Sequence, residues 1–297
     1  MGRSAGKYEN GDELKVELVG RDGLKLVADV EGDPTAPPVI LLHGGGQTRH
    51  AWGTTLKVLG AHWHAYSIDL RGHGESDWAP DGDYSIDAFA KDVEVIARSM
   101  PSPPVLVGAS LGGISSLAAI AESKGPPLAR ALVLVDVAPR IEVKGASRII
   151  DFMKGNLEGF ESLEEVADVI AAYNPNRPRP KNLEGLKKNL RQRADGRWVW
   201  HWDPRFVSGD LGSPDETRSS GNKDNRLERA ARTLTIPTLL VRGRMSDLLS
   251  EQGVKELKEL VPHAQIADVA GAGHMVAGDR NDAFNDSIVE FLEALPN

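Results

Sequence analysis

Apolar positions recur along the chain at two spacings, and the spacings follow one another in a fixed order. Leu14 to Val19 and Leu24 to Val30 alternate apolar and polar residues around Gly20-Arg-Asp-Gly23, which predicts an N-terminal β-hairpin. Val39-Ile-Leu-Leu42, following Pro37-Pro38, is a continuous apolar run of the kind buried in a parallel sheet. Gln47 to Gly60 reads as a helix, Trp63 to Ile68 as a strand, and Ser85 to Met100 as a helix with Phe89, Val93 and Ile96 on one face. Val105-Leu-Val107 is again a buried strand, followed by a helix through Leu117 to Ile120 and by the strand Ala131-Leu-Val-Leu-Val135. Strand and helix alternating at short spacing predict a parallel sheet covered on both faces.

The rhythm breaks after Pro139. From about Ile141 to Arg232 the residues are polar, helix-prone and rich in charge. Ser162-Leu-Glu-Glu opens a helix towards Tyr173, which Pro175, Pro178 and Pro180 stop. Lys181 to Ala194 reads as a further helix, Trp198-Val-Trp-His-Trp202 is an aromatic cluster, and Asp210 to Asn225 reads as a Gly/Ser/Asp-rich loop. The alternation resumes with strand Thr238 to Val241, a helix near Glu251 to Leu260, a strand near Gln265 to Val269 and a helix near Asp282 to Leu295. The expected organisation is an α/β core from residues 1–140 and 233–297, with a helical cap of residues 141–232 inserted after the sixth strand.

Composition narrows the function classes. The 297 residues are 40% hydrophobic and 26% charged, enough for one large α/β core. Net charge of −8 argues against nucleic acid or an anionic membrane surface as partner. Without cysteine there is no disulfide, thiolate metal site or cysteine nucleophile. Met1 to Gly11 is polar with no apolar core of a secretory signal, and no apolar run is long enough for a membrane span. A cytoplasmic protein without cofactor is expected. No G-x-G-x-x-G, P-loop or H-E-x-x-H spacing occurs, so neither a nucleotide nor a metal is expected. The sequence sets no oligomeric state.

The chemistry gathers at Gly108-Ala-Ser-Leu-Gly112, which joins a strand directly to a helix. Glycines two residues before and after Ser110 leave room for so sharp a bend, and the Leu111 N–H sits at a helix start, where orphan donors favour an oxyanion. This is the G-x-S-x-G nucleophile elbow in its required strand–turn–helix setting. A second match, Gly2-Arg-Ser-Ala-Gly6, lies in a polar tail with no strand before it and is set aside.

A serine nucleophile needs a base, and the base needs an acid to fix its tautomer. Of eight histidines, His43 reads as bracing the glycine run that follows it, His62 and His64 belong to a strand start, and His73 sits inside an Arg-Gly-His-Gly turn. His50 and His263 have no motif around them, and His201 belongs to the insertion. Only His274, in Ala270-Gly-Ala-Gly-His274, combines a position beyond the last strand with a late place in the chain. For the acid, Asp247 follows the strand ending at Val241 and is favoured; Asp136, directly after the strand Ala131 to Val135, is the alternative. The second oxyanion donor is expected from His43-Gly-Gly-Gly46, with Gly45 ahead of Gly46. In the insertion, Trp198, Trp200, His201 and Trp202 either wall a pocket for an apolar acyl or aryl group or pack a core face.

With these pieces in hand, the sequence resembles the α/β-hydrolase superfamily over nearly its whole length. The resemblance rests on His43-Gly-Gly-Gly46 with Trp52, Asp69-Leu-Arg-Gly-His-Gly-Glu-Ser76, Gly108 to Gly113, Arg242 to Asp247 and Gly271-Ala-Gly-His274, in that order. It implies an eight-stranded, mostly parallel sheet, a cap between strands six and seven, Ser110 as nucleophile, His274 as base, Asp247 as acid, and Gly45 and Leu111 N–H groups as oxyanion hole. Epoxide hydrolases and haloalkane dehalogenases of this superfamily carry aspartate at the elbow, so serine argues against both activities. The expected function is hydrolysis of a small or medium carboxylic ester, lactone or thioester. A C–C bond hydrolase or cofactor-free perhydrolase or haloperoxidase would use the same residues. A non-catalytic receptor on the same fold is a different class, against which the intact elbow, base and acid argue.

Overall fold

The computed structural model describes residues 14–140, 143–173, 179, 182–208, 226–244, 246, 249–269 and 281–296. Eight strands form one sheet: β1 (Leu14–Val19), β2 (Lys25–Glu31), β3 (Pro38–Leu42), β4 (His64–Ile68), β5 (Val105–Ala109), β6 (Ala131–Val135), β9 (Thr238–Gly243) and β10 (Gln265–Val269). Their spatial order is β1-β2-β4-β3-β5-β6-β9-β10. The hairpin β1–β2 and the pair β2–β4 are antiparallel, and every pair from β4 through β3 to β10 is parallel. β5, which carries the elbow, is therefore central, between β3 and β6.

The apolar runs of the central strands are continuous because both faces are covered. Val39, Leu41, Val105, Val107, Val133 and Val241 point to one face, against α1 (Gly53–Gly60) and α9 (Asn281–Glu293), which contribute Leu56, Leu59, Phe284 and Ile288. Ile40, Leu42, Leu106, Leu132, Leu134 and Leu240 point to the other, against α2 (Ile86–Ser99) and α3 (Leu111–Glu122). Each such side chain contributes roughly 1.5–3 kcal/mol on burial. α2 buries Phe89, Val93 and Ile96 as its spacing predicts, and starts at Ser85, whose Oγ accepts the Ala88 N–H. Asp92 lies on the same buried face, its charge met by two hydrogen bonds from Arg71 of 2.6 and 2.8 Å.

Between β6 and β9 the described elements stay outside the large sheet: α4 (Val143–Lys154), α5 (Leu163–Tyr173), β7 (Leu190–Gln192), β8 (Trp198–Trp200), α6 (Pro204–Ser208) and α7 (Arg226–Arg232). α7 packs against α3 and α8 (Glu251–Leu260) on the flank of the sheet. Two expectations are corrected here. Gln47 to Gly60 is not one helix: a 3₁₀ turn over Arg49–Trp52 precedes α1, because the Arg49 N–H and guanidinium are both tied to Asp69. Lys181 to Ala194 is not a helix either. A 3₁₀ segment at Glu184–Asn189 leads into β7, which pairs antiparallel with β8 around Asp195-Gly196. Gly196 takes φ +87°, so the Asp-Gly dipeptide makes a hairpin where a helix was expected. Among the described residues no helix is long and apolar enough to cross a membrane.

Candidate active site

β5 ends at Ala109 and α3 begins at Leu111, leaving Ser110 alone to make the turn at φ +43°, ψ −110°. A side-chain-bearing residue held there costs about 1–3 kcal/mol, which the surroundings must offset. Three backbone hydrogen bonds hold it: Ser110 N–H to Val135 O and Gly112 N–H to His43 O, both 3.2 Å, and Ile114 N–H to Ser110 O at 2.9 Å. A Cβ on Gly108 would strike the Gly112–Gly113 backbone, and one on Gly112 would strike Leu42 O, so only glycine allows the helix this close to the sheet. Ser110 is half-buried, and its Oγ makes no hydrogen bond among the described residues. The Leu111 N–H opens the helix and has no intrahelical acceptor; none of the described residues accepts it.

The glycine turn after β3 lies against this serine: a Cβ on Gly44 would sit 3.4 Å from Ser110 Cβ. Of its three amides, the Gly44 N–H donates to Gln47 Oε1 (2.9 Å) and the Gly46 N–H to His73 Nε2 (3.1 Å). The peptide between Gly44 and Gly45 is fixed from its carbonyl end. Gly44 O accepts from His43 Nδ1–H (2.8 Å) and from the Gln47 N–H (3.1 Å). A trans peptide is planar, so the Gly45 N–H must point the opposite way. No described residue accepts it. Among the described residues Gly45 and Leu111 thus offer two unengaged N–H groups, and a Cβ on Gly45 would come within 4.0 Å of the Leu111 side chain.

Three buried histidines hold this arrangement. His43 donates from Nδ1 to Gly44 O and accepts the Leu70 N–H at Nε2 (3.0 Å). His73 donates from Nδ1 to Arg71 O (2.9 Å) and accepts at Nε2 from Gly46. His201 accepts the Gly74 N–H at Nδ1 (2.8 Å) and donates from Nε2 to Gly46 O (3.3 Å). Each ring is a donor at one nitrogen and an acceptor at the other, which only the neutral form can be. Burial pushes His43 down to about 4, His73 to about 3, and His201 well below its ordinary value; neighbouring cationic or imidazole groups push the same way. Below pH 6.5 the unfolded chain protonates these rings while the folded chain does not, so stability falls as pH drops from about 6.5 towards 4. Three such groups give a slope of up to about 4 kcal/mol per pH unit. Urea unfolding at pH 7, 6 and 5 measures it, and a flat profile would contradict the assignment.

His73 belongs to Asp69-Leu-Arg-Gly-His-Gly-Glu-Ser76, whose other members are structural. The Asp69 carboxylate accepts from the Arg49 and Glu75 N–H groups and from the Arg49 guanidinium, and Ser76 Oγ donates to Asp69 O while accepting the Val27 N–H. The stretch between β6 and β9 reaches this serine and glycine turn through residues that carry no sequence signal. A Cβ on Gly45 would meet Phe206 Cζ at 3.4 Å, and one on Gly46 would meet Met153 Sδ at 3.1 Å. Phe206 and Met153 are both buried, and Phe206 packs edge-on to His73 at 4.6 Å. Trp200 and Trp202 are stacked and buried, centroids 4.9 Å apart, with Trp200 also against Phe152 and Phe160. Trp198 is half-buried beneath Lys187.

Asp136 follows β6 at φ +50°, buried, and accepts from the Gly243 N–H (3.3 Å) and Ser246 Oγ. It therefore binds the turn after β9 that leads to position 247. Asp247 and His274 lie outside the described residues. Arg242 is buried and donates from Nε to Leu249 O (3.0 Å). Among the described residues, no group of three or more His, Asp or Glu side chains has the arrangement of a metal site.

Residues 39–287 match the alpha/beta hydrolase family. The chain belongs to that family. It is 33% identical to esterase Rv0045c of Mycobacterium tuberculosis, over 87% of this chain and 84% of that protein. It is 28% identical to the 3-hydroxybutyrate-oligomer hydrolase of Cupriavidus necator, over 87% and 90%. The crystal structure of E-2-(acetamidomethylene)succinate hydrolase superposes with a TM-score of 0.82 at 25% identity, covering 95% of this chain and all of that one. This alpha/beta hydrolase is an enzyme, and its eight-stranded sheet is the one its motifs imply.

Proposed function

We propose that this hydrolase cleaves small or medium carboxylic esters, lactones or thioesters through Ser110, His274 and Asp247. The observation that carries the reading is the pair of unengaged N–H groups, Gly45 and Leu111, beside the strained Ser110. Ser110 Oγ attacks the substrate carbonyl carbon while His274 takes its proton, and Asp247 steadies the resulting imidazolium. The carbonyl oxygen becomes an oxyanion accepted by the Gly45 and Leu111 N–H groups, an interaction that strengthens as charge develops. His274 then gives the proton to the departing alcohol or thiol. A water, deprotonated by His274, attacks the acyl-enzyme, and Ser110 leaves with the proton. Asp136 is read as holding the turn that carries Asp247, through Ser246 and Gly243.

The insertion acts as the cap in this reading. Phe206 and Met153, against Gly45 and Gly46, bound the acyl pocket ahead of Trp198, Trp200 and Trp202, and select an apolar acyl or aryl group. The resemblance to relatives named as an esterase and a 3-hydroxybutyrate-oligomer hydrolase supports ester chemistry. The likeness to E-2-(acetamidomethylene)succinate hydrolase favours a second reading, in which the same residues act on a non-ester bond.

Incubation with p-nitrophenyl esters from acetate to decanoate, beside a fluorophosphonate label located by mass spectrometry, tests the proposal. Turnover that falls beyond medium chains, with label on Ser110, is the expected result. Label without ester turnover would shift the assignment to the second reading, and the absence of both label and turnover would overturn the serine mechanism.

A further inference from the structure

The residues around the glycine turn come from three places, and one of them is 127 residues away from the loop it binds: His201 to Gly74. The His201 ring spans two loops at once. Its Nδ1 takes the Gly74 N–H at 2.8 Å, and its Nε2–H reaches Gly46 O at 3.3 Å. His73, next to Gly74, takes the other side of the same glycine by accepting the Gly46 N–H. Gly46 is thus held at both its N–H and its C=O, by imidazoles whose centroids lie 5.8 Å apart. Arg191, one strand away in the insertion, donates to Gly74 O and reinforces the same point. His201 itself is hemmed in: it is buried, lies edge-on to Trp202 at 5.2 Å, and its backbone N–H donates to Asn189 O.

Gly46 carries φ +75°, and its neighbour Gly45 has no side chain to lock it. The Gly45 N–H belongs to the 44–45 peptide, whose carbonyl accepts the Gln47 N–H. Gln47 N–H and Gly46 O are the two ends of the 46–47 peptide, so rotation of that peptide would release Gly44 O and take the Gly45 N–H off its line. Two of the bonds that prevent this are made by the 69–76 loop and the glycine turn itself; the third comes from the insertion. We propose that His201 is a positioning residue that makes the direction of the Gly45 N–H depend on the insertion being seated, so that the oxyanion hole is complete only when the insertion covers it. This rests on Gly45 acting as the oxyanion donor.

The two bonds of His201 can be separated. The carboxamide nitrogen of glutamine reaches as far as Nε2 and can still donate to Gly46 O. The carboxamide oxygen of asparagine reaches only as far as Nδ1 and can accept from Gly74 but not serve Gly46. His201→Asn is expected to lower kcat for p-nitrophenyl acetate by about 10- to 100-fold with KM within about threefold, since a misdirected donor is felt in the transition state. His201→Gln is expected to recover at least about tenfold of that loss. Hydrogen exchange of the peptide spanning residues 43–48, followed by mass spectrometry, should speed up in the asparagine variant and return towards wild type in the glutamine variant.

A purely structural role would make the two variants equal in kcat and exchange, or would make both track their melting temperatures; either outcome overturns the proposal. The exchange readout does not involve catalysis. If the unmodified enzyme fails to turn over esters, the proposed function falls while the exchange difference still decides the coupling. If esters are turned over and the two variants behave alike, the coupling falls alone.

Discussion

Replacing Ser110 with alanine is expected to reduce ester turnover by about 10⁴-fold or more, leaving only the catalysis that binding and the oxyanion donors provide. The reason lies in the arrangement of the elbow. Ser110 is the one hydroxyl on the turn, and the N–H groups of Gly45 and Leu111 are useful only to an oxyanion formed on a carbonyl that it attacks. Alanine keeps the Cβ, so the turn at φ +43° is asked of the same backbone and the fold is expected to be unchanged. Initial rates on p-nitrophenyl acetate and intact-mass labelling with a fluorophosphonate give the answer together. Activity above about a tenth of wild type, or label elsewhere in the chain, would remove Ser110 from the chemistry.

Asp247→Asn and Asp136→Asn are expected to part company. The first should lower kcat by about 10³- to 10⁴-fold with little change in KM, because an asparagine holds the imidazole in the wrong tautomer. The second leaves catalysis within about tenfold and instead lowers stability by about 1–3 kcal/mol, because a buried acceptor of the Gly243 N–H and Ser246 Oγ loses its charge. Steady-state kinetics and urea unfolding on both variants separate the roles. A reversal, with Asp136→Asn catalytically dead and Asp247→Asn active, would make Asp136 the acid.

Much of this was legible because the relevant signals are local. The elbow needs only a strand, a serine between spaced glycines, and a helix, all within a few residues, and the structure has each of them at Gly108 to Gly112. The strand runs were legible for the same reason: Val39 to Leu42 and Ala131 to Val135 are apolar throughout because helices cover both faces. What escaped the sequence is contact between distant segments. Nothing near Phe206 or Met153 signals that they meet Gly45 and Gly46, and nothing in Arg-Gly-His-Gly says that His73 accepts the Gly46 N–H. His43 braces the turn as its place beside the glycines implies, because a residue adjacent to the turn it holds carries its role in its position. The hairpin β7–β8 is hidden in the sequence although Asp195-Gly196 marks its turn, since charged residues on both sides also suit a helix face.

The parallel pairing of β6 with β9 has a consequence for how this chain can vary. These strands are neighbours in the sheet, yet everything from α4 to α7 is strung between Val135 and Thr238. To the sheet, that stretch is a loop whose ends must meet, and the entropy of closing a loop grows only with the logarithm of its length. Doubling it would cost the core about 0.6 kcal/mol. The sheet is thus nearly indifferent to how much chain is threaded through this gap, while the strands that carry the elbow and the glycine turn, β5 and β3, both precede it, and His201 ties the threaded stretch back to Gly46. Lengthening, trimming or exchanging the threaded stretch would re-shape what reaches Ser110 at little thermodynamic expense to the sheet that holds it.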